Sequence, residues 1–234
     1  MDDASLDHEL GPRLSWSPVQ RPDRRPLQGR YVTLQPMDAA RHADALFEAA
    51  EGEGSDPLLW RYLPYGPFGD LESFRSLIEK NSASDDPLYF TVIPEGGTPA
   101  GQATFMRMDP ANGVIEIGHI WFGGSIQRSP ATTEAIYLLA KHAFDDLGYR
   151  RLEWKCHARN ARSRRAAERF GFTYEGTFRN HTVVRDRNRD TAWYSIIDEE
   201  WPAIRDAFEA WLSPDNFDAH GVQRRSLEDV RRAP

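Results

Sequence analysis

The sequence predicts an α/β fold, a layered sheet of mixed and mostly antiparallel direction with helices packed on it. Three observations carry this. The hydrophobic period switches along the chain, from helical spacing over 39–51 and 70–82 to apolar strand candidates at 87–93, 99–108 and 113–122. Those three strands follow one another through the short turns EGGT and DPAN, the mark of an antiparallel meander. An amphipathic helix over about 131–147 then stands between the strand at 113–122 and the next at 150–157, and a strand-helix-strand order favours parallel pairing.

The 234 residues suffice for one domain with a full core plus extensions. With 29 Lys+Arg against 36 Asp+Glu there is no global pull toward nucleic acid or an anionic membrane. A single cysteine, Cys156, excludes an internal disulfide framework and fits a reducing compartment. No apolar run reaches the length of a membrane span, and Met1 is followed by Asp2 and Asp3 rather than a basic, apolar leader. The expected setting is cytoplasmic, with no membrane partner.

Residues 1–28, rich in Pro, Asp and Arg, read as an extended arm pinned by Trp16, with Arg21, Arg24 and Arg25 either meeting phosphate or solvated. The folded unit opens at Gly29 with the strand RYVTLQP. Asp38 caps a helix to about Glu51 carrying Ala43, Leu46, Phe47 and Ala50, and Asp70 begins another to about Ser82. Between them LLWRYLPYGPF is dense in aromatics. Trp60, Tyr62, Tyr65 and Phe68 either line an acceptor pocket or staple the helices to the sheet. Gly148 stops the 131–147 helix, whose apolar face is Ile136, Leu139, Ala140, Ala143 and Phe144. Asn160 opens a further helix closed by Gly171. The segments 172–185 and 190–201 form a hairpin across the turn DRNR, and a helix over 203–212 precedes a polar tail. The basic hairpin is the stretch that would meet RNA or a protein acceptor, although nucleic acid is not the expected partner.

The stretch from Val114 to Ala135 organises the chemistry. A strand feeds through the loop GGSIQRSP onto a helix N-terminus, where the first N–H groups lack partners within the helix and the helix dipole favours negative charge. Glu116 is the one carboxylate on that strand. His119, His157 and His181 are not at metal-ligand spacing, so no metal is expected. Cys156 and His157 are adjacent and point to opposite faces of a strand, which argues against a Cys/His nucleophile pair.

Three motifs together, EIGHIWF (116–122), QRSPATTEA (127–135) and N-x-x-S followed by A-x-x-R-F-G-F-x-x-E-G (160–176), resemble the GCN5-related N-acetyltransferase (GNAT) superfamily. Within it they are closest to the branch of the ribosomal-protein N-terminal acetyltransferases and their small-molecule relatives. The resemblance covers roughly 29–200. It implies a three-layer fold whose central strands splay apart, with 29–201 as the acetyltransferase domain and 202–234 as a C-terminal helix and polar tail.

It also implies acetyl-CoA as donor, a primary amine of a small molecule or a protein N-terminus as acceptor, and direct transfer in a ternary complex. A homodimer is among the assemblies it allows. The backbone of Ile120, Trp121 and Phe122 would run along the pantetheine. Gln127, Arg128, Ser129, Ala131 and Thr132 would surround the pyrophosphate, with Arg128 as the cation. The family's loop reads Arg/Gln-x-x-Gly-x-Gly/Ala. Here Pro130 and Thr132 stand in place of the Gly and Gly/Ala, and a proline offers no N–H, yet it is tolerated in a helix's first turn.

Glu116 is the candidate base, a role worth on the order of 10²–10⁴-fold, or else a strand carboxylate paired with an arginine. Asn160 would bond the pantetheine or serve only as an N-cap. Ser163 would donate a proton to the leaving thiolate or merely complete the helix's first turn. The alternative for the whole chain is a CoA-binding sensor that does not transfer.

Overall fold

The computed structural model describes residues 13–232, so the first twelve residues of the expected arm lie outside the described residues. The described residues form an eight-stranded sheet in the order β1-β2-β3-β4-β5-β6-β8-β7. Its strands are β1 (Leu27–Gln28), β2 (Val32–Pro36), β3 (Leu88–Pro94), β4 (Gly101–Asp109), β5 (Val114–Phe122), β6 (Arg151–His157), β7 (Thr173–Val184) and β8 (Arg187–Ile197). Every neighbouring pair is antiparallel except β5 with β6, as the intervening helix requires.

Helices cover both faces because the strands alternate what they present. On β3, Leu88, Phe90 and Val92 join the larger core, while Tyr89 turns to the other face. The larger core takes α3 (Pro130–Lys141), α4 (Ala161–Arg169) and α5 (Trp201–Leu212) through Ile136, Leu139, Ala167, Ile204 and Phe208. The smaller core takes α1 (Ala39–Glu51) and α2 (Leu71–Ser82) through Leu46, Phe74 and Ile78. Both of these helices start where the caps foretold. The Asp38 side chain accepts from Ala40 N and Arg41 N, and that of Asp70 from Ser73 N.

Four local expectations are corrected. The helix after the β5 loop is α-helical only to Lys141 and continues as a π-helical turn over His142–Asp146, ending at Gly148. The β7–β8 hairpin turns at Arg185 and Asp186, both at positive φ, rather than across DRNR, because two-residue hairpin loops with positive φ match strand twist. Arg24, though exposed, is not free for phosphate: it donates to the Ser82 and Ser84 carbonyls. Arg25 binds Asp146 at 2.9 Å. The polar tail after α5, for which no element was expected, carries a 3₁₀ turn (Pro214–Asn216) and α6 (Leu227–Arg232), and Leu227 is buried.

The arm lies along the body. Trp16 Nε1 donates to Ala111 O at 2.8 Å, and Val19 N to Pro110 O at 3.1 Å. Gly113 makes this possible: a Cβ there would come within 2.5 Å of the Trp16 ring, and its φ of +63° suits glycine.

Candidate active site

β5 and β6 run together for only four residues. They pair from Val114↔Arg151 to Ile117↔Trp154. Beyond that β5 stays with β4, through Gln102↔Trp121 and Gly101↔Phe122, while β6 stays with β8 as far as His157↔Thr191. The local cause is a bulge. Thr104 pairs with Gly118 but Gln102 with Trp121, so β5 spends one extra residue there, and His119 adopts a φ of +46°. Two buried β4 side chains take over the ladder bonds that the bulge forfeits: Gln102 Nε2 donates to His119 O at 2.9 Å and Thr104 Oγ1 to Gly118 O at 3.0 Å. The parted strands open into a cleft of about 1020 Å³.

The head of α3 faces this cleft. Ser129 is its N-cap residue but makes no side-chain cap bond; its Oγ donates to Ile126 O at 2.6 Å instead. Pro130 occupies the first turn, where its missing N–H breaks no helical bond. Ser129 N is committed to Ile126 O, so the cradle expected from 128, 129, 131 and 132 is left to Arg128, Ala131 and Thr132. Gln127 closes the loop through Nε2 to Phe122 O at 2.9 Å. Glu134, one turn on, is buried and accepts from the N–H groups of Arg30, Tyr31 and Val32, which ties the helix head to the β1–β2 turn. Gly29 allows that approach, since a Cβ there would lie 2.3 Å from the Glu134 carboxyl carbon.

Glu116 is buried and held by a residue that sequence reasoning missed. Lys155 Nζ lies 2.8 Å from Glu116 Oε2 and 2.5 Å from Glu153 Oε2, and stands 4.0 Å over the Trp193 ring. The ion partner is therefore chiefly a lysine rather than an arginine; Arg107 Nε is at 3.6 Å. Burial pushes the Glu116 carboxyl above its ordinary value, opposed by Lys155 and Arg107. A signal for Lys155 was present. In RLEWKCH, Arg151, Glu153 and Lys155 share one face, and parallel pairing sets Glu116 beside Glu153, so two carboxylates need a cation between them.

Asn160 caps α4, its Oδ1 accepting from Ser163 N at 3.1 Å. Ser163 Oγ accepts from Trp154 Nε1 at 3.0 Å, and since an indole only donates, the serine keeps its own proton for another acceptor. Both residues line the cleft with Glu116, Ile120, Trp121, Phe122, Gln127, Arg128 and Thr132.

The four loop aromatics part company. Tyr62 lines the cleft and donates to Arg159 O at 3.0 Å. Trp60 is buried against Phe68, Phe74 and Trp121 with ring centroids 5.4, 6.5 and 5.6 Å away. Tyr65 stacks on His119, and its hydroxyl accepts from Gln102 Nε2. Trp60, Tyr65 and Phe68 thus staple the loop to the sheet rather than line the cleft, because aromatic area is most stabilising when buried. Arg185 at the β7–β8 tip reaches Tyr65 O and Gly66 O, joining hairpin to loop.

The crowd of α4 arginines is mostly engaged. Arg162 pairs with Asp56 at 2.6 Å, Arg164 donates to Tyr194 Oη, and Glu175 pairs with Arg151. Arg169 donates to Thr133 Oγ1 and lies over Trp211. The segment after α5 also reaches the cleft, through Phe217 and Val222, which periodicity gave no means to place. Among the described residues there is no group of three or more His, Cys, Asp or Glu able to hold a metal.

An acetyltransferase (GNAT) domain family model matches residues 32–173. The crystal structure of a GCN5-related N-acetyltransferase from Brucella melitensis aligns with a TM-score of 0.91 at 50% identity, over 94% of this chain and 99% of that one. A GNAT-family structure from Chromobacterium violaceum ATCC 12472 gives 0.76 at 42%, over 82% and 96%. A Bacillus subtilis (strain 168) protein provisionally named ribosomal N-acetyltransferase YdaF is 25% identical over 72% of this chain and 90% of its own.

Proposed function

The chain belongs to the GNAT acetyltransferase family and is an N-acetyltransferase whose acetyl donor is acetyl-CoA; on that premise we propose direct transfer to a primary amine in a ternary complex, the acceptor being a small molecule or a protein N-terminus. The observation that carries this is the parting of β5 from β6 after Ile117 and Trp154, above the uncapped head of α3. The residues fit the donor. β5 backbone past Ile117 is unpaired on its β6 side, as a pantetheine arm needs, and the Arg128, Ala131 and Thr132 N–H groups with the Arg128 guanidinium suit a pyrophosphate.

In this reading the amine's lone pair attacks the thioester carbonyl carbon, the C–S bond breaks, and the nitrogen's proton passes through water to Glu116. Lys155 keeps that carboxylate ionised and oriented. Ser163, positioned by Trp154, passes a proton to the departing sulfur and takes one from water in the same relay, while Glu116 returns its proton to solvent. Asn160 sets the start of α4 against the pantetheine. Direct transfer is favoured over a covalent enzyme intermediate because Cys156 is buried and burial raises its thiol pKa, which disfavours the thiolate.

Initial-rate measurements of free-thiol release against a panel of amines test this. Intersecting double-reciprocal lines and weakened CoA binding in Asn160→Ala are expected. Tight CoA binding without turnover on any amine, or parallel lines with an acetylated enzyme, would refute it.

A further inference from the structure

The protein carries a net charge of −7, yet among the described residues eight cationic side chains against two carboxylates line the cleft. Several of these cations are accounted for. Arg128 and Arg169 belong to the α3 head, Arg162 pairs with Asp56, and Lys155 lies between two glutamates. Arg107 and Arg189, near the bulge, are not. Arg107 only approaches Glu116, at 3.6 Å, with half its side chain exposed. Arg189 on β8 is half-buried, and its Nε is buried with no hydrogen-bond partner among the described residues. Burial works against the Arg189 charge, and so does Arg107, with Cys156 and Glu116 opposing them in part.

His119 adds a third donor. Gln102 Nε2 must carry the hydrogens because it donates to the His119 carbonyl, and it also donates to Tyr65 Oη. The Tyr65 hydroxyl is kept protonated by burial, and His119 Nδ1, 3.1 Å away, is the one acceptor for its proton among the described residues, which favours donation to that nitrogen. The imidazole is neutral at pH 7, since burial together with Arg107 and Arg189 lowers its pKa to about 4. A neutral ring accepting at Nδ1 carries its hydrogen on Nε2, and His119 is among the residues that line the cleft.

We propose that Arg189, Arg107 and the His119 Nε2–H form an anion site beside Glu116, and that the acceptor is an amine bearing its own carboxylate or phosphate a few bonds away. The amine lies toward Glu116, the one carboxylate at that end, and the anion toward Arg189. A neutral acceptor would leave the buried Arg189 Nε without a partner, which is costly. This rests on the acetyl-transfer reading and adds the substrate class to it.

Matched acceptors test it: an α-amino acid against its amide, and ethanolamine phosphate against ethanolamine, by thiol release in the wild type, Arg189→Met and Arg189→Lys. The acidic member of at least one pair should have a KM on the order of ten-fold lower in the wild type, the strength of a charge-assisted hydrogen bond. Which pair responds separates carboxylate from phosphate. Arg189→Met should collapse the ratio toward one, and Arg189→Lys should recover part of it, with CoA affinity and far-UV spectrum retained in both. Calorimetric titration of the same compounds into the CoA-loaded protein reads the site even without turnover. Binding of acidic members alone, lost in Arg189→Met, supports the site while refuting transfer. Equal or stronger handling of the neutral members, or no change in Arg189→Met, overturns the anion site and leaves the acetyltransferase reading standing.

Discussion

Glu116 and Lys155 meet at the fork of the sheet, Nζ to Oε2 at 2.8 Å, each almost fully buried. Glu116 stands one residue before the last paired position of β5, and Lys155 one residue beyond that of β6. The ion pair therefore spans the point where the strands separate, and it joins the stability of the sheet to the chemistry of the cleft.

Glu116→Gln should lower kcat by on the order of 10²–10⁴-fold while CoA affinity stays within about two-fold. Because the base works when ionised and its pKa is raised, the wild-type rate should rise with pH along a limb lying above the ordinary carboxylate value of 4.5. That limb should vanish in the variant. A pH–rate profile settles both points.

Lys155→Met would remove the cation between Glu116 and Glu153, leaving only the flanking Arg107, 3.6 Å from Glu116, and Arg151, 2.8 Å from Glu153. Breaking a buried pair in this way should cost about 3–5 kcal/mol in denaturant unfolding. It also removes the largest influence holding the Glu116 pKa down, so any surviving activity should show its acid limb displaced upward. Adding Glu116→Gln should recover part of the stability, since a neutral amide no longer opposes Glu153.

His119 links pH to stability in a defined direction. Its folded pKa is about 4 against an ordinary 6.5, so below pH 6.5 the unfolded chain takes up a proton that the folded chain refuses. Stability is thus lost as pH falls from about 6.5 toward 4, by up to roughly 3 kcal/mol for a shift of this size. Urea midpoints of the wild type should fall through that window more steeply than those of His119→Gln. Superimposable curves would mean that the imidazole titrates normally.

Trp60 and Tyr62, two residues apart, should behave as opposites. Trp60→Ala opens a cavity among Phe68, Phe74 and Trp121 and should cost about 3–5 kcal/mol. Tyr62→Ala removes a cleft-lining ring and should raise the acceptor KM with much less loss in melting temperature. Thermal melts and acceptor titrations on the two variants check this.

Whereas β1 lay in the expected arm and α6 in the expected polar tail, the element order from Val32 to Leu212, the caps Asp38 and Asp70, the antiparallel meander and the parallel β5–β6 pair were legible in the residues. Each depends on neighbours a few positions away, through side-chain period, turn residues or capping groups. The same holds for the α3 head and for Asn160 at the start of α4. The family motifs pointed to the same cleft, and the family match covers its β5, α3 and α4 walls but not Arg189, Phe217 or Val222.

What remained hidden depends on which distant residues share a face. Lys155 gains its meaning from Glu116, thirty-nine positions earlier, and the His119 tautomer follows from Tyr65 and Gln102 together. Trp60 and Tyr62 carry similar aromatic signals in sequence, and only packing divides them between core and cleft. The C-terminal segment reads as polar, yet Arg231 donates to the Arg169 and Glu168 carbonyls and Leu227 is buried. Local patterns determined the strands and helices between Val32 and Leu212. The site's protonation states and charge pairing arose only when the folded sheet removed water and set those groups against one another.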